Sequence, residues 1–511
     1  MSARRQLNRS AVQWTGLWTG PLLALIVYYL LPDTYVASDG ATVEFTHAGR
    51  ITAAVAVWMA TWWMTEAIPI YATSLLPLAV LPFFRATTVR QAAAPYAHEL
   101  IYLFLGGFVI ALSMERWGLH KRFAFGALRL VGTRPHRVVL GFMIATAFMS
   151  MWVSNTATTI MMLPIALSVI DLVSRRTVGA DVGALKSLPS GEGYNFALGL
   201  LLGIAYAASI GGIGTLIGTP PNLFLASYIK DNLGREISFV GWMGIGLPLV
   251  VVFLPIVWYL ITRVLYPIKI DEVEGGGELI RRGYRELGGM KRGEWVTLFV
   301  FAFAAMSWIL RPLLSKIVIA GLRPFGGLTD PGIAVIAALL LFVIPVDIKK
   351  REFAMNWETA VKLPWGILVL FGGGLSLAAA IRANGVGEFI GHQVAGFSGL
   401  PVVAIVLLVT AIMIYLTELT SNTATAATLI PILAAIAPGL DMSPYVLIVP
   451  AAIAASCAFM LPVATPPNAI IFGSGYVRID QMVRAGFWLN LIGILLVTIV
   501  TFAVVVPILA R

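Results

Sequence analysis

Residues 154–158 read Ser-Asn-Thr-Ala-Thr, and residues 421–425 read Ser-Asn-Thr-Ala-Thr again. The first copy sits in the middle of an apolar segment, 138–172, and the second in the middle of another, 400–438. A straight helix through either segment would carry an amide and several hydroxyls to the centre of a bilayer, where an unsatisfied polar group is costly. Divided at the triplet, each leg has about 16 residues, or 24 Å at 1.5 Å per residue, short of the roughly 20 residues that cross a hydrocarbon core. A re-entrant hairpin that enters and leaves on one side, with Ser-Asn-Thr at its tip, reconciles the two facts. Irregular backbone at that depth is tolerated only where protein or a water-filled cavity shields it from lipid.

Working outward, the repeat extends beyond the triplet. Pro164-Ile165 follows the first copy as Pro431-Ile432 follows the second, at a constant spacing of 267 residues, and a hydroxyl stands five residues before each Asn, Ser150 or Thr417. Thr219-Pro220-Pro221-Asn222 returns 246 residues later as Thr465-Pro466-Pro467-Asn468, and Leu105-Gly106-Gly107 is echoed by Phe371-Gly372-Gly373. The 21-residue difference between the spacings falls in the loop from Arg175 to Glu192. An odd number of crossings separates the copies, so they form inverted repeats, an arrangement that places transporter sites at mid-membrane between broken helices.

Composition agrees. The 511 residues are 59% hydrophobic and 12% charged, where soluble domains have roughly 45–50% and about 25%, and the mean hydropathy is +0.88. The fold class expected is an all-α polytopic membrane protein with about 11 transmembrane helices plus the two hairpins, with an error of about four residues at each boundary. The crossings fall near 16–32, 50–66, 67–84, 98–115, 195–229, 240–262, 294–311, 331–346, 364–381, 443–475 and 485–508. With the N-terminus in the cytoplasm, 25 of the 35 Lys and Arg residues fall on cytoplasmic segments. That bias predicts an inner (plasma) membrane protein with N-terminus inside and C-terminus outside, the first hairpin entering from the cytoplasm and the second from the opposite face. Residues 1–49 then hold the N-terminus and first helix. The first repeat is 50–266, with hairpin 138–172 and broken helix 195–229; 267–293 is a cytoplasmic linker; the second repeat is 294–511, with hairpin 400–438 and broken helix 443–475.

The net charge of +10 is spread over short loops, which fits membrane topology and not a nucleic-acid partner. Arg4, Arg5 and Arg9 before the first apolar run resemble a signal peptide, with Val36-Ala37-Ser38 as a weak cleavage site, but the run is read as an uncleaved first span. The single cysteine, Cys457, lies in an apolar run and reads as a small buried hydrophobe.

The repeated motifs suit an anion carried with a small cation. A hairpin tip exposes a helix N-terminus, whose unpaired N–H groups and partial positive charge attract carboxylates, and its Asn amide and Thr hydroxyl add donors. Two facing tips can hold the two ends of a short dicarboxylate. A sodium ion needs oxygens instead, and Thr-Pro-Pro-Asn supplies a helix break, because a proline lacks the N–H that would occupy an upstream carbonyl.

Trp62-Trp63-Met64-Thr65-Glu66-Ala67-Ile68-Pro69, the two Ser-Asn-Thr tips and the two Thr-Pro-Pro-Asn breaks resemble, in order and over nearly the whole chain from about residue 50, the divalent anion:sodium symporter (DASS) family. The resemblance implies a homodimeric, elevator-type secondary carrier in the lipid bilayer, moving a small dianionic substrate with sodium as the coupling ion. It implies a first sodium site from Ser150, Ser154, Asn155 and Gly218, and a second from Thr417, Thr420, Asn422 and Ala464, with Ser154, Gly218, Thr420 and Ala464 giving backbone carbonyls. It implies substrate contacts from Asn155, Thr156, Asn422 and Thr423, with Thr219, Thr465 and Pro466 lining the cavity. Sodium-coupled symport of C4-dicarboxylates such as succinate, malate and fumarate is the leading expectation. A sodium-independent dicarboxylate exchanger and a citrate or sulfate carrier of the same fold share these motifs.

Other features read more plainly. Glu66 and Glu418 lie near apolar segments, where an acid is a functional candidate by default, yet segment ends or structural neutralisation explain both better than ligand roles. The glycines at 211–218 and 372–374 lack the lysine of a phosphate loop and suit close helix packing. His47, His98, His120, His136 and His392 are scattered through loops without metal-ligand spacing. Neither a nucleophile with a base nor a metal cluster supports an enzyme, and inverted hairpins suit alternating access better than a continuous pore.

Overall fold

A computed structural model describes residues 10–36, 42–131, 134–177, 192–269, 276–319, 321–394 and 399–510. Residues 178–191 of the loop with the length difference, Arg4, Arg5, Arg9, Ala37, Ser38 and residues 270–275 of the linker lie outside them. The described chain is helical apart from two small antiparallel pairs, Thr34–Val36 with Thr42–Glu44 and Pro345–Asp347 with Glu352–Phe353. Among the described residues, eight helices are long and apolar enough to cross a membrane.

Each Ser-Asn-Thr copy lies where one helix ends and another begins. The first pair is Pro135–Ser150 and Asn155–Thr177, the second Val402–Thr417 and Asn422–Ile436. The incoming legs have 16 residues each, but the outgoing segments of both, Asn155–Val173 and Asn422–Leu440, are long and apolar enough to cross by themselves. Ser154 starts that leg by accepting the Ala157 N–H at 3.3 Å. Ser421 makes no such side-chain cap.

Both Thr-Pro-Pro-Asn copies lie at helix breaks. Glu192–Gly212 gives way to Pro220–Leu233, and Tyr445–Ala454 to Pro466–Gly473. The prolines occupy the first turn of the second piece, where no intrahelical N–H bond is required. The open carbonyls lie upstream, and Asn222 closes them: its Nδ2 donates to the carbonyls of Gly212, Ile213 and Thr215 at 3.1, 3.3 and 2.8 Å.

The expected crossing at 67–84 is not one helix but two short ones, Ile70–Thr73 and Leu76–Phe83. Pro77 has no N–H for the Thr73 carbonyl, and the Ser74 hydroxyl takes the Ile70 carbonyl at 2.8 Å, so the chain turns there. Before it, Glu66 adopts a left-handed conformation at φ 48° and ends the helix His47–Thr65. Trp63 is fully buried there and donates to the Ile70 carbonyl at 3.1 Å.

The helix Tyr194–Gly212 runs through the middle of the molecule, with Leu200, Leu201, Leu202, Ile204 and Tyr206 fully buried. It packs on both legs of the first hairpin and on Pro466–Gly473 from the second half. Gly211 allows this: a Cβ there would lie 2.3 Å from the Ala147 carbonyl oxygen. Gly373 approaches the Ser74 backbone in the same way. His120, read as a loop histidine, is buried with Nδ1 2.8 Å from the Met114 carbonyl, and burial lowers its pKa.

Candidate functional site

In the first half, the end of one hairpin leg meets the start of the other and the last turn of the helix before the break. The buried Ser150 hydroxyl bonds to Asn155 Oδ1 and also lies 2.7 Å from the Ala208 carbonyl. Gly212 permits the approach of the remaining parts. A Cβ at Gly212 would meet Asn155 Oδ1 at 2.8 Å and the Gly218 carbonyl at 3.1 Å, so these two oxygens face the same point. Ser150, Asn155 and Gly218 are therefore gathered as a set of oxygens, with Ser154 at the adjacent cap.

The second half repeats the arrangement with a different hydroxyl. Thr417 Oγ1 donates to Asn422 Oδ1 at 2.7 Å and lies 3.1 Å from the Ala455 carbonyl. Thr420 Oγ1 is engaged with the Leu416 carbonyl at 2.9 Å and the Thr425 hydroxyl at 2.6 Å. Ala464 lies across the same space as Thr420 and Asn422.

Between the halves is a cavity of about 940 Å³. Both tips line it, through Ser154, Asn155 and Thr156 on one side and Thr420, Asn422 and Thr423 on the other; so do Gly218, Thr219, Ala464, Thr465 and Pro466 from the breaks. Ser150 and Thr417 lie behind the Asn side chains instead of in the wall. With each Asn oxygen turned back toward its hydroxyl, the amide nitrogen is the end left for the cavity, and each tip presents the N-terminus of its outgoing helix there. The Thr465 hydroxyl accepts the Asn468 N–H at 3.3 Å, while Thr219 lies 3.5 Å from Ser456 of the other half. Phe104, Phe108 and Leu370 supply apolar wall, and the mouth includes Ser10, Gln13, Thr65, Glu66 and Tyr71. Among the described residues, the wall contains no Lys, Arg or His. An anion held between the tips meets helix termini, amides and hydroxyls.

Three residues named from the sequence gain definite roles only in the structure. Asn468 repeats the work of Asn222, donating to the carbonyls of Ala458 and Leu461 at 3.3 and 3.1 Å. The recurrence of Asn at the end of each Thr-Pro-Pro-Asn was the available signal. Glu418 is buried, and its oxygens accept from the N–H groups of Phe459, Met460 and Leu461 and from Asn490. It holds the second break and does not line the cavity. Glu66 does line it, at the mouth. Among the described residues, no cluster of His, Cys, Asp and Glu is arranged to hold a metal ion, so a cation here would take neutral oxygens.

The profile described as the sodium:sulfate symporter transmembrane region matches residues 18–509. The chain is 43% identical over 499 residues to the sodium-dependent dicarboxylate transporter SdcS of Staphylococcus saprophyticus, covering 97% of this chain and 92% of that protein. To the protein of the same name in Staphylococcus aureus (strain bovine RF122 / ET3-1) it is 42% identical over 500 residues, with the same coverage. Among solved structures, the Alcanivorax borkumensis YdaH transporter superposes with a TM-score of 0.56 at 14% identity, over 97% of this chain and 98% of that one. Neisseria gonorrhoeae MtrF does so with a TM-score of 0.57 at 14% identity, over 98% and 97%. At that identity the two structures speak to fold alone.

Proposed function

The chain belongs to the sodium:sulfate symporter family, and from that premise we propose that it is a secondary carrier of C4-dicarboxylates, of the succinate, malate and fumarate class, coupled to sodium. Both relatives named above are sodium-dependent dicarboxylate transporters. The observation that carries the reading is the cavity between Asn155 and Asn422: two tips of opposed halves, no basic side chain among the described residues, and a hydroxyl–amide–carbonyl group behind each tip.

The geometry suggests how cation and anion depend on each other. Ser150 and Thr417 each have one hydroxyl proton and two acceptors, an Asn oxygen and a carbonyl. With the pocket empty the proton bridges to the Asn oxygen. When a sodium ion enters, the proton turns to the carbonyl of Ala208 or Ala455, and the hydroxyl and amide oxygens both face the ion. The amide dipole is then polarised toward the cavity, and its NH2 becomes a better donor to a carboxylate. The ions also supply the positive charge that the wall lacks.

In this reading Asn155, Thr156, Asn422 and Thr423 bind the carboxylates, with Thr219, Thr465 and Pro466 around them. The first sodium takes Ser150, Ser154, Asn155 and Gly218, and the second Thr417, Thr420, Asn422 and Ala464. The protein works as a homodimer in the inner membrane with a cytoplasmic N-terminus, and the hairpins and broken helices move together as the transport unit of an elevator. The inverted repeats 50–266 and 294–511 and the loop charges support this arrangement.

The test is uptake of radiolabelled succinate into proteoliposomes with and without an inward sodium gradient. Sodium-driven accumulation, competed by malate and fumarate and not by sulfate, is expected. Equal uptake when choline replaces sodium, accelerated by preloaded dicarboxylate, would replace the symporter with an exchanger.

A further inference from the structure

We infer that Glu418 is a positioning residue that makes the two cation pockets unequal, placing a fixed negative charge behind the second while the first remains neutral. The inference rests on the sodium-coupled reading above and adds an order of affinity to it.

The two pockets match in the hydroxyl, the Asn and the carbonyl; in the lining they differ by one methyl, Ala458 standing where the first half has Gly212, and behind it they differ in charge. The residue after the hydroxyl is Met151 in the first half and Glu418 in the second. Both positions tie their hairpin to the neighbouring helix break, by opposite means. In the first half the Thr215 hydroxyl, on the break, donates to the Met151 backbone carbonyl at 2.5 Å. In the second half the position equivalent to Thr215 is Leu461, whose backbone N–H donates to Glu418 Oε2 at 3.0 Å. One tether is neutral, and the other carries a carboxylate.

Among the described residues, that carboxylate has no cation as a partner. Oε1 accepts from Phe459 N at 2.6 Å, Met460 N at 2.8 Å and Asn490 Nδ2 at 2.8 Å, and the residue is only 3% exposed. All four partners donate, an arrangement complementary to the ionised form, which only accepts. Burying a charge without a counter-charge is unfavourable, and four neutral donors offset only part of it. A cation in the adjacent pocket, whose hydroxyl is on Thr417, completes the compensation through a medium of low dielectric. The same bonds fix residues 459–461 between the Ala455 carbonyl and Ala464, so the charge also orients the break that supplies the pocket. Ions therefore fill the second pocket first and the first pocket afterwards.

The test follows the thermal midpoint of purified protein in choline chloride, without dicarboxylate, as sodium replaces choline at constant ionic strength. An ion that binds only the folded state raises the midpoint as its concentration passes the dissociation constant. Glu418→Gln is expected to move the low-sodium response upward on the order of tenfold, the scale of one unit charge acting at moderate effective dielectric, with the high-sodium response unchanged. In otherwise native protein, Thr417→Val should remove the low-sodium response and Ser150→Ala the high-sodium one; this comparison decides the matter even if the Gln variant does not fold. A Gln variant that melts earlier in choline but keeps the native sodium midpoint makes Glu418 a mechanical tether only and overturns the inference. So does loss of the low-sodium response in Ser150→Ala in place of Thr417→Val. Native protein without any sodium response would overturn the coupling reading itself, and the inference with it.

Discussion

Asn222 and Asn468 turn their amides the same way at equivalent points in the two halves, each closing the carbonyls that a broken helix leaves open. Neither has another partner for its oxygen, so the amide NH2 is the part that the fold uses. Replacement of Asn222 by Leu keeps the volume and strands the Gly212 carbonyl, while the Ile213 carbonyl keeps the Trp242 Nε1–H at 2.9 Å and the Thr215 carbonyl keeps the Gly218 N–H at 3.4 Å. A loss of about 1–3 kcal/mol is expected, the cost of one buried polar group left unsatisfied. Thermal melts in detergent check it, and a variant that melts like the native protein would show that the Gly212 carbonyl finds another partner.

Asn155 and Asn422 each join a hydroxyl pocket to the cavity. Asn155→Ala and Asn422→Ala are expected to abolish succinate uptake in proteoliposomes while eluting like the native protein in size exclusion. Near-normal uptake by either purified variant would remove both from the site.

With one pocket behind each tip, succinate uptake at fixed pH should rise with sodium more steeply than one-to-one. Thr417→Val and Ser150→Ala should each weaken the sodium dependence more than succinate recognition at saturating sodium. A hyperbolic sodium curve in the native protein would mean that only one pocket is coupled.

Gly212 gives a steric test of the first pocket alone. The methyl of Gly212→Ala would sit between Asn155 Oδ1 and the Gly218 carbonyl, at 2.8 and 3.1 Å. Overpacking of this kind costs about 1–3 kcal/mol, which as affinity is on the order of tenfold or more. Ala458 holds the corresponding place in the second half, so the fold accepts a methyl there. Sodium activation should shift upward in Gly212→Ala and stay native in Gly126→Ala, where an added Cβ meets nothing within 4 Å.

Orientation is tested at Gly289, an exposed position in the linker with open space around its Cα. In a Cys457→Ala background, Gly289→Cys should resist a membrane-impermeant thiol reagent in intact cells and react in inverted vesicles. Cys457 is fully buried. The reverse labelling would exchange the faces assigned to the two hairpins.

The hairpin tips and helix breaks were legible in the sequence because a polar triplet or a Pro-Pro pair in an apolar run has few physical solutions, and because each occurs twice. The turn at Ser74 was not, since hydropathy counts Pro77 as one more residue in an apolar stretch and takes no account of its missing N–H. The role of Glu418 was hidden for a different reason. Three of its four partners are backbone N–H groups more than 40 residues away, and a backbone donor has no sequence signature. The Asn222 amide was half visible: the repeat marked the residue, and only the coordinates give the direction in which it donates.

The absence of Lys, Arg and His among the described residues of the cavity wall governs how transport responds to acid. The groups that face the substrate from the tips and breaks are hydroxyls, amides and peptide carbonyls, which neither gain nor lose a proton in ordinary buffers; the carboxyl groups nearby, Glu66 in the cavity wall and Glu418 behind the second tip, are the same for every substrate. The titration that distinguishes one substrate from another is then the passenger's. As the medium is acidified the second carboxyl of a dicarboxylate takes up a proton, one tip loses its anionic partner, and uptake declines along the curve of the free acid in solution. Two substrates with different second dissociation constants should trace two displaced profiles through the same protein, with the displacement set by the acids and not by the carrier.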